Sequence, residues 1–229
     1  MTRKLLLTFA LVAALAAPQG ASARIIELGA QAQPANPSCP ADPCEAAVRV
    51  TGLQGRAAGG PKNPYYIRRD GWLVAFTVRL SQPTEQQTDF FNDNFGSPAQ
   101  VQLSVLRRGD TRRTRLNYRL LSQSETFPVN DYFGSSPTFV LEQPVRVRRG
   151  NWVGVTVDTW APMFANNLPR SNWWRSSRAR QSCDPPRSLN QFAMEELRDV
   201  SVFGCTYHGA RLLYTVTYIP DNRPTSDNG

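Results

Sequence analysis

Hydrophobic and polar residues alternate along several stretches of the chain, with the two-residue period of a strand that buries one face. The apolar positions of these stretches are Trp72, Val74, Phe76, Val78 and Leu80; Val101, Leu103 and Val105; Leu116, Tyr118 and Leu120; Val153, Val155 and Val157; and Leu212, Tyr214, Val216 and Tyr218. Arg-Arg-Gly sequences at 107–109 and 148–150 lie between such stretches and are typical of hairpin turns. The pattern predicts an all-β protein with antiparallel strands.

One segment lacks this alternation and predicts a short helix. Pro83 and Thr84 precede residues 85–92, and Gly96 follows at a position where a helix commonly ends. A single short helix leaves the fold class unchanged. We therefore predict one antiparallel β-sandwich over residues 39–220, Greek-key or jelly-roll-like, with one short helix.

The N-terminus has the pattern of a secretory signal peptide. Arg3 and Lys4 precede an apolar run over 5–17, which is followed by Ala21-Ser22-Ala23. The run is too short to cross the hydrocarbon core of a membrane, which is about 30 Å thick. We expect a Sec-type signal peptide over residues 1–23, cleavage after Ala23 and a secreted, extracellular protein without a transmembrane anchor. An uncleaved N-terminal anchor is the alternative.

Two further segments differ from the predicted sandwich in composition. Residues 24–38 are rich in Ala, Gln and Pro and show no periodicity, so they are expected to form a flexible linker. Residues 221–229 are polar and are expected to form a disordered tail.

The chain has four cysteines, Cys39, Cys44, Cys183 and Cys205. An even number of cysteines in an exported protein favours disulfides, and four cysteines allow three connectivities. We favour the local pairs Cys39–Cys44 and Cys183–Cys205. The chain has neither a Cys-x-x-Cys sequence nor a second histidine, so we predict no metal site and no cofactor.

The chain is basic, with 26 Lys and Arg against 18 Asp and Glu and a net charge of +8. Lys4 and Lys62 are the only lysines, so 24 of the 26 basic residues are arginine. The sequence predicts a basic face composed of Arg107, Arg108, Arg112, Arg113, Arg115, Arg119, Arg146, Arg148 and Arg149. With no nucleic-acid-binding motif in an exported chain, anionic polymers of the cell envelope are the expected partners rather than nucleic acid. The alternative is a basic face that is solvated and binds no polymer.

A second candidate surface lies in the segment 160–186, which combines adjacent tryptophans with several arginines. Indole rings stack on sugars, and guanidinium groups bind carboxylates in bidentate fashion. The residues proposed for a glycan or anionic polymer such as cell-wall or acidic polysaccharide are Trp173, Trp174, Arg170, Arg175, Arg178 and Arg180. The alternative is that a tryptophan of this segment is buried in the sandwich and the arginines are solvated.

Catalysis has less support in the sequence than binding. His208 is the only histidine, and the chain lacks the Gly-x-Ser-x-Gly sequence of a nucleophile elbow, so no catalytic triad is predicted. A polysaccharide-active enzyme with paired carboxylates is the alternative function. Its candidate residues, chosen by residue type, are Glu142, Asp158, Glu195 and Glu196.

Four stretches of the chain resemble a group of exported bacterial β-sandwich proteins with no known activity. They are Cys39-Pro40-Ala41-Asp42-Pro43-Cys44-Glu45-Ala46, the segments 101–109 and 145–161, and Gly204-Cys205-Thr206-Tyr207 with the strand that follows. The resemblance covers roughly residues 39–220 and implies export and a β-sandwich. It implies no catalytic residues. The expected function is that of a non-enzymatic extracellular binding domain or a domain associated with the cell envelope.

Overall fold

The computed structural model describes residues 24–30, 32–183 and 190–222, so the predicted signal peptide at 1–23 lies outside the described residues. The strands are β1 (Ile26–Leu28), β2 (Ala47–Arg56), β3 (Gly71–Val78), β4 (Gln100–Arg108), β5 (Asn117–Gln123), β6 (Phe127–Pro128), β7 (Thr138–Val147), β8 (Asn151–Ala161), β9 (Phe164–Ala165), β10 (Trp173–Ser176), β11 (Val200–Val202), β12 (Cys205–His208), β13 (Arg211–Leu212) and β14 (Tyr214–Pro220). The helices are α1 (Glu85–Phe95) and the 3₁₀ turns Asn130–Tyr132 and Arg180–Ser182.

The strands form two main antiparallel sheets. The smaller sheet has the order β1-β14-β3-β7, and the larger has the order β11-β5-β4-β8-β2-β10-β12, with β6 paired to β4. Strands β9 and β13 form a separate pair. The main core joins Phe76 and Val216 of the smaller sheet to Leu103 and Val155 of the larger one. The predicted all-β, sandwich-like fold with one short α-helix is confirmed for the described residues.

Helix α1 begins at the predicted position and extends to Phe95. Thr84 forms a capping box with Gln87: the Thr84 hydroxyl accepts the Gln87 backbone N–H at 3.2 Å, and the Gln87 side chain accepts the Thr84 N–H at 2.9 Å. Gly96 follows with φ of 97°, a conformation that favours glycine. Local capping chemistry therefore sets both ends of this helix.

The predicted inward face of β3 is wrong at its start. Trp72 is 42% exposed and Leu73 is fully buried, whereas Phe76 and Val78 lie in the core as expected. The pairing of β3 with both neighbouring strands shifts at Val74. Because this bulge adds one residue to β3, the residues before it face the opposite side from the one that uninterrupted alternation predicts.

The larger sheet is covered on its outer face as well. Leu53, Leu106 and Leu120 pack there with Met194 and Phe203 in a second apolar cluster. The covering residues come from the segment 190–204. This explains why β4 and β8 are buried on both faces through most of their length.

A row of hydroxyl groups attaches the covering segment to the sheet. The Thr156 hydroxyl lies 2.8 Å from that of Thr51 and 2.6 Å from that of Ser104. Thr51 in turn accepts the backbone N–H of Met194 at 2.9 Å, and Gln123 donates to the Met194 carbonyl at 2.8 Å. These polar groups are buried with their hydrogen bonds satisfied, which fixes the register of the segment on the sheet.

Both preferred disulfides are present, Cys39–Cys44 and Cys183–Cys205, with Cα–Cα distances of 4.5 and 5.3 Å. They lie near opposite ends of the predicted sandwich sequence.

The segments outside the predicted sandwich belong partly to the fold. Residues 24–38 were predicted to be a linker, but they contain β1, which covers the edge of β14. Ala35 of the same segment is buried. In the predicted tail, Asp221 forms a bidentate ion pair with Arg146 at 2.8 and 2.7 Å. Residues 223–229 lie outside the described residues.

Candidate functional site

The proposed tryptophan–arginine surface is not one surface. Strand β10 lies inside the larger sheet, paired with β2 on one side and β12 on the other. Alternation along the strand therefore places Trp174 on the opposite face from Trp173 and Arg175. Trp174 is 4% exposed and stacks on Tyr207 with ring centroids 4.6 Å apart. Trp174 is therefore a core residue and does not form part of an exposed stacking surface with Trp173.

Arg178 is also buried, at 6% exposure. Its Nη2 donates to the Val48 carbonyl at 2.9 Å, and its Nη1 donates to the Tyr207 hydroxyl at 3.4 Å. Arg178 comes two residues after β10, and its side chain is buried because residues 176–178 are all buried in the protein. It cannot belong to an open polymer-binding surface.

The other proposed residues are dispersed. Trp173 lies against Gly55, where an added Cβ would come within 1.9 Å of the indole ring. The Arg175 guanidinium lies 5.4 Å from the centroid of the same ring. Arg170 and Arg180 are exposed on either side of β10. Within this group, Trp173 and Arg175 face the outside of the larger sheet.

The predicted basic face is better ordered than the tryptophan–arginine segment. Strand β4 pairs with β8 so that Arg107 lies opposite Asn151, which places the 107–115 and 148–150 turns side by side. The Gly150 N–H donates to the Ile67 carbonyl at 2.9 Å. The segment around residue 67 therefore lies at the same end of the sandwich as the two turns. We call the arginines of these segments the arginine rim: Arg68, Arg107, Arg108, Arg112, Arg115, Arg148 and Arg149.

A depression of about 550 Å³ lies within the arginine rim. Tyr66 and Trp152 line it together with rim arginines 107, 108, 112 and 115. The two aromatic rings pack edge to face with centroids 5.2 Å apart. A second depression, of about 280 Å³, lies on the other side of the same hairpin and includes Arg119. Aromatic surface and guanidinium groups thus meet in one place, although not at the predicted tryptophans.

The rim arginines lack acidic partners in the part of the chain that the structure describes. None of them lies within 4.0 Å of a carboxylate there, although Asp70 and Asp110 belong to the same segments. Six of the seven are exposed, and the seventh, Arg108, is half-buried and donates to the Arg115 carbonyl at 2.6 Å. Their positive charges are left for solvent ions or for an anionic ligand.

Arg175 connects the rim to the outer face of the larger sheet. Burial lowers the pKa of its guanidinium, and the nearby charges of Arg108, Arg115 and Arg180 lower it further, while Tyr118 has the opposite effect. Its Nε has no hydrogen-bond acceptor among the described residues. Arg175 is therefore an electrostatic neighbour of the rim arginines Arg108 and Arg115 as well as of Arg180.

The candidate carboxylates lie in two separate places. Burial is the main cause that raises the pKa of Asp158 to about 6, and the charge of Glu195 adds to the effect. Gln102 donates to Asp158 Oδ2 at 2.9 Å and acts in the opposite direction. Glu142 lines a different cleft, of about 660 Å³, together with Glu125.

Replacing Asp158 with asparagine should stabilise the protein at neutral pH. An acid with a raised pKa in the folded state costs stability above that pKa, and the cost disappears as the pH falls towards the unfolded value of about 3.9. After discounting for solvent screening, we expect Asp158→Asn to be about 1 kcal/mol more stable than wild type at pH 7. Urea denaturation of both proteins at several pH values measures the difference.

The pH dependence of that difference distinguishes this cause from a change in packing. The gain should shrink as the pH falls below about 6 and be absent at pH about 3, since Asp158 is then protonated in both the folded and the unfolded wild type. Glu195→Gln is the matched control because it removes only the smaller, Coulombic contribution. A gain that is constant over this pH range would contradict the assignment.

Some residues of the site were not found by sequence reasoning. Tyr66, Arg68 and Trp152 belong to the rim or its depression, and Glu125 lies with Glu142. For Tyr66 and Arg68, the sequence offered one signal: the adjacent pairs Tyr65-Tyr66 and Arg68-Arg69 place aromatic and basic residues close together. Nothing in the local sequence indicates that they meet the 107–115 turn, because that contact depends on the pairing of β4 with β8.

Comparisons with protein-family models, with curated proteins and with solved structures found no match to this chain. No helix among the described residues is both long and apolar enough to cross a membrane.

Proposed function

We propose that this protein is a non-enzymatic extracellular or cell-envelope-associated domain that binds an acidic polysaccharide through the arginine rim. The observation that carries the proposal is that four arginines of the 107–115 hairpin line one depression with Tyr66 and Trp152 and have no carboxylate within 4.0 Å among the described residues. A repeating carboxylated polymer would supply one negative charge after another to such a surface. The two disulfides are compatible with the proposed export.

The rim has the chemistry that this ligand requires. Guanidinium groups bind carboxylates through paired hydrogen bonds and stay charged at any physiological pH. The rings of Tyr66 and Trp152 offer apolar surface for the faces of sugar rings. Strands β4 and β8 hold the two turns in a fixed relation, which limits the conformational entropy lost on binding.

Loss of three exposed rim charges should weaken binding to a carboxylated polymer. We expect the triple variant Arg107→Gln, Arg112→Gln, Arg115→Gln to bind polygalacturonate about 10-fold more weakly than wild type at low salt, since each exposed charge pair contributes up to about 1 kcal/mol. Biolayer interferometry with immobilised polymer measures the change. Neutral dextran should bind neither protein.

A charge-matched control separates the rim from net charge. The variant Arg56→Gln, Arg79→Gln, Arg198→Gln removes the same number of exposed positive charges from residues that do not line either rim depression. It should keep nearly all of the wild-type affinity. Equal weakening in both triple variants would mean that only the overall charge attracts the polymer, and the rim would not be the binding site.

Polysaccharide hydrolysis is the second candidate function. Its supporting observation is that Glu125 and Glu142 line one cleft of about 660 Å³. A glycosidase needs two carboxylates on either side of the scissile bond. Release of reducing ends from a glycan panel, lost in Glu142→Gln and in Glu125→Gln, would favour this function over binding alone.

A further inference from the structure

A separate cavity of about 480 Å³ lies beside helix α1 and is also lined by residues of β2 and β10. Aromatic rings from three elements line it: Phe90 of α1, Phe164 of β9 and Trp174 of β10. Its volume is within the range of small-molecule sites, roughly 300–1,000 Å³. Phe90 is 56% exposed, an unusual position for a large apolar side chain on a short helix.

Arg178 lines the same cavity, and its guanidinium group forms no ion pair with a described residue. It is 6% exposed, and no carboxylate among the described residues lies within 4.0 Å of it. Within the described part of the chain, its hydrogen bonds are those to the Val48 carbonyl and the Tyr207 hydroxyl, and its Nε has no acceptor there. Buried guanidinium groups in proteins are usually paired with an anion, because an unpaired buried charge is costly.

A second donor nearby is also unsatisfied. The indole Nε1 of Trp174 is buried and has no acceptor among the described residues. Glu45 is the one acidic side chain among the described residues that line the cavity, and it is not within ion-pair distance of Arg178. The cavity therefore combines an apolar, aromatic wall with hydrogen-bond donors and a guanidinium group that no described carboxylate neutralises.

We propose that this cavity binds a small amphipathic monocarboxylate, with the carboxylate directed towards Arg178 and the hydrocarbon part among Phe90, Phe164 and Trp174. The occupant follows from charge complementarity. A neutral apolar molecule would leave Arg178 unpaired, and an ammonium ion would be repelled by it. This site is separate from the arginine rim, since the two share no lining residue.

The test compares three ten-carbon probes that differ in their head group: decanoate, decanol and decylammonium. Isothermal titration calorimetry on the mature protein should show one saturable site for decanoate, with an affinity at least about 10-fold higher than for decanol. Decylammonium should bind more weakly than either. Equal binding of decanoate and decanol, tighter binding of decylammonium, or no binding of decanoate would overturn the proposal.

Variants locate the site and the charge. Arg178→Met removes the guanidinium group but keeps an unbranched side chain, so it should remove the preference for decanoate over decanol. Arg180→Met, at an exposed position two residues further along the chain, should keep that preference. Phe90→Ala, at an exposed position that should not affect folding, should weaken decanoate and decanol alike by about 5-fold. An unchanged affinity for both probes in Phe90→Ala would exclude this cavity even if Arg178→Met failed to fold.

Discussion

Replacing Trp160 with alanine should lower the free energy of unfolding by about 3–5 kcal/mol, the usual cost of removing a large aromatic side chain from a core. Trp160 is fully buried. Its ring stacks on Phe91 at 4.8 Å and contacts Phe133 at 5.5 Å, and its Nε1 donates to the Asn92 side chain at 3.0 Å. The substitution would therefore detach α1 from β8 and leave a cavity between them. Urea denaturation followed by circular dichroism measures the loss.

Trp72 is the matched control for this prediction. It has the same side chain on a strand of the sandwich, but it is 42% exposed and its ring contacts the Arg146 guanidinium at 5.0 Å. Trp72→Ala should cost about 1 kcal/mol or less. A loss below about 1 kcal/mol for Trp160→Ala would contradict the packing of α1 against the larger sheet.

The adjacent residues Trp173 and Trp174 should differ sharply when each is replaced with alanine. Trp174→Ala should cost about 3–5 kcal/mol, because the side chain is buried, stacks on Tyr207 and meets the edge of Phe164 at 5.6 Å. Trp173→Ala should cost about 1 kcal/mol, since this side chain is only partly buried on the outer face of the sheet. Thermal and urea denaturation of the two single variants measure the contrast.

This contrast also decides between the two interpretations of the segment. If both tryptophans formed a ligand surface, both substitutions would leave stability nearly unchanged and reduce polymer binding together. The buried position of Trp174 instead predicts a large loss of stability for one variant only. Similar small losses in both variants would show that β10 does not lie between β2 and β12.

The alternation of hydrophobic and polar residues predicted which side chains face the core in most of the sandwich. It failed where the facing direction depends on pairing between strands that are distant in sequence. Val101, Leu103 and Val105 face the core as expected, because an uninterrupted strand keeps its period. Trp72 does not, because the bulge at Val74 depends on how β14 and β7 pair with β3. Local sequence carries no sign of that pairing.

The residues of the candidate site could also be predicted from the sequence only in part. Arginines close in sequence, such as Arg107 and Arg108, could be assigned to one hairpin from the chain alone. That Arg178 is buried could not, because a run of Trp and Arg residues gives no indication that β10 forms an internal strand. The contribution of Tyr66 to the rim depends on a bridge to Trp152, some 86 residues away along the chain.

The most direct test of the arginine rim is the salt dependence of its affinity for polygalacturonate. Binding that releases counterions weakens linearly on a log–log plot against salt, with a slope proportional to the number of charges neutralised. Between about 50 and 500 mM NaCl, we expect the affinity of wild type to fall steeply with salt. The magnitude of the slope should be smaller by about 2 for the triple variant at positions 107, 112 and 115, and the control triple variant should have the wild-type slope. Affinity that does not depend on salt, or equal slopes in all three proteins, would contradict the account.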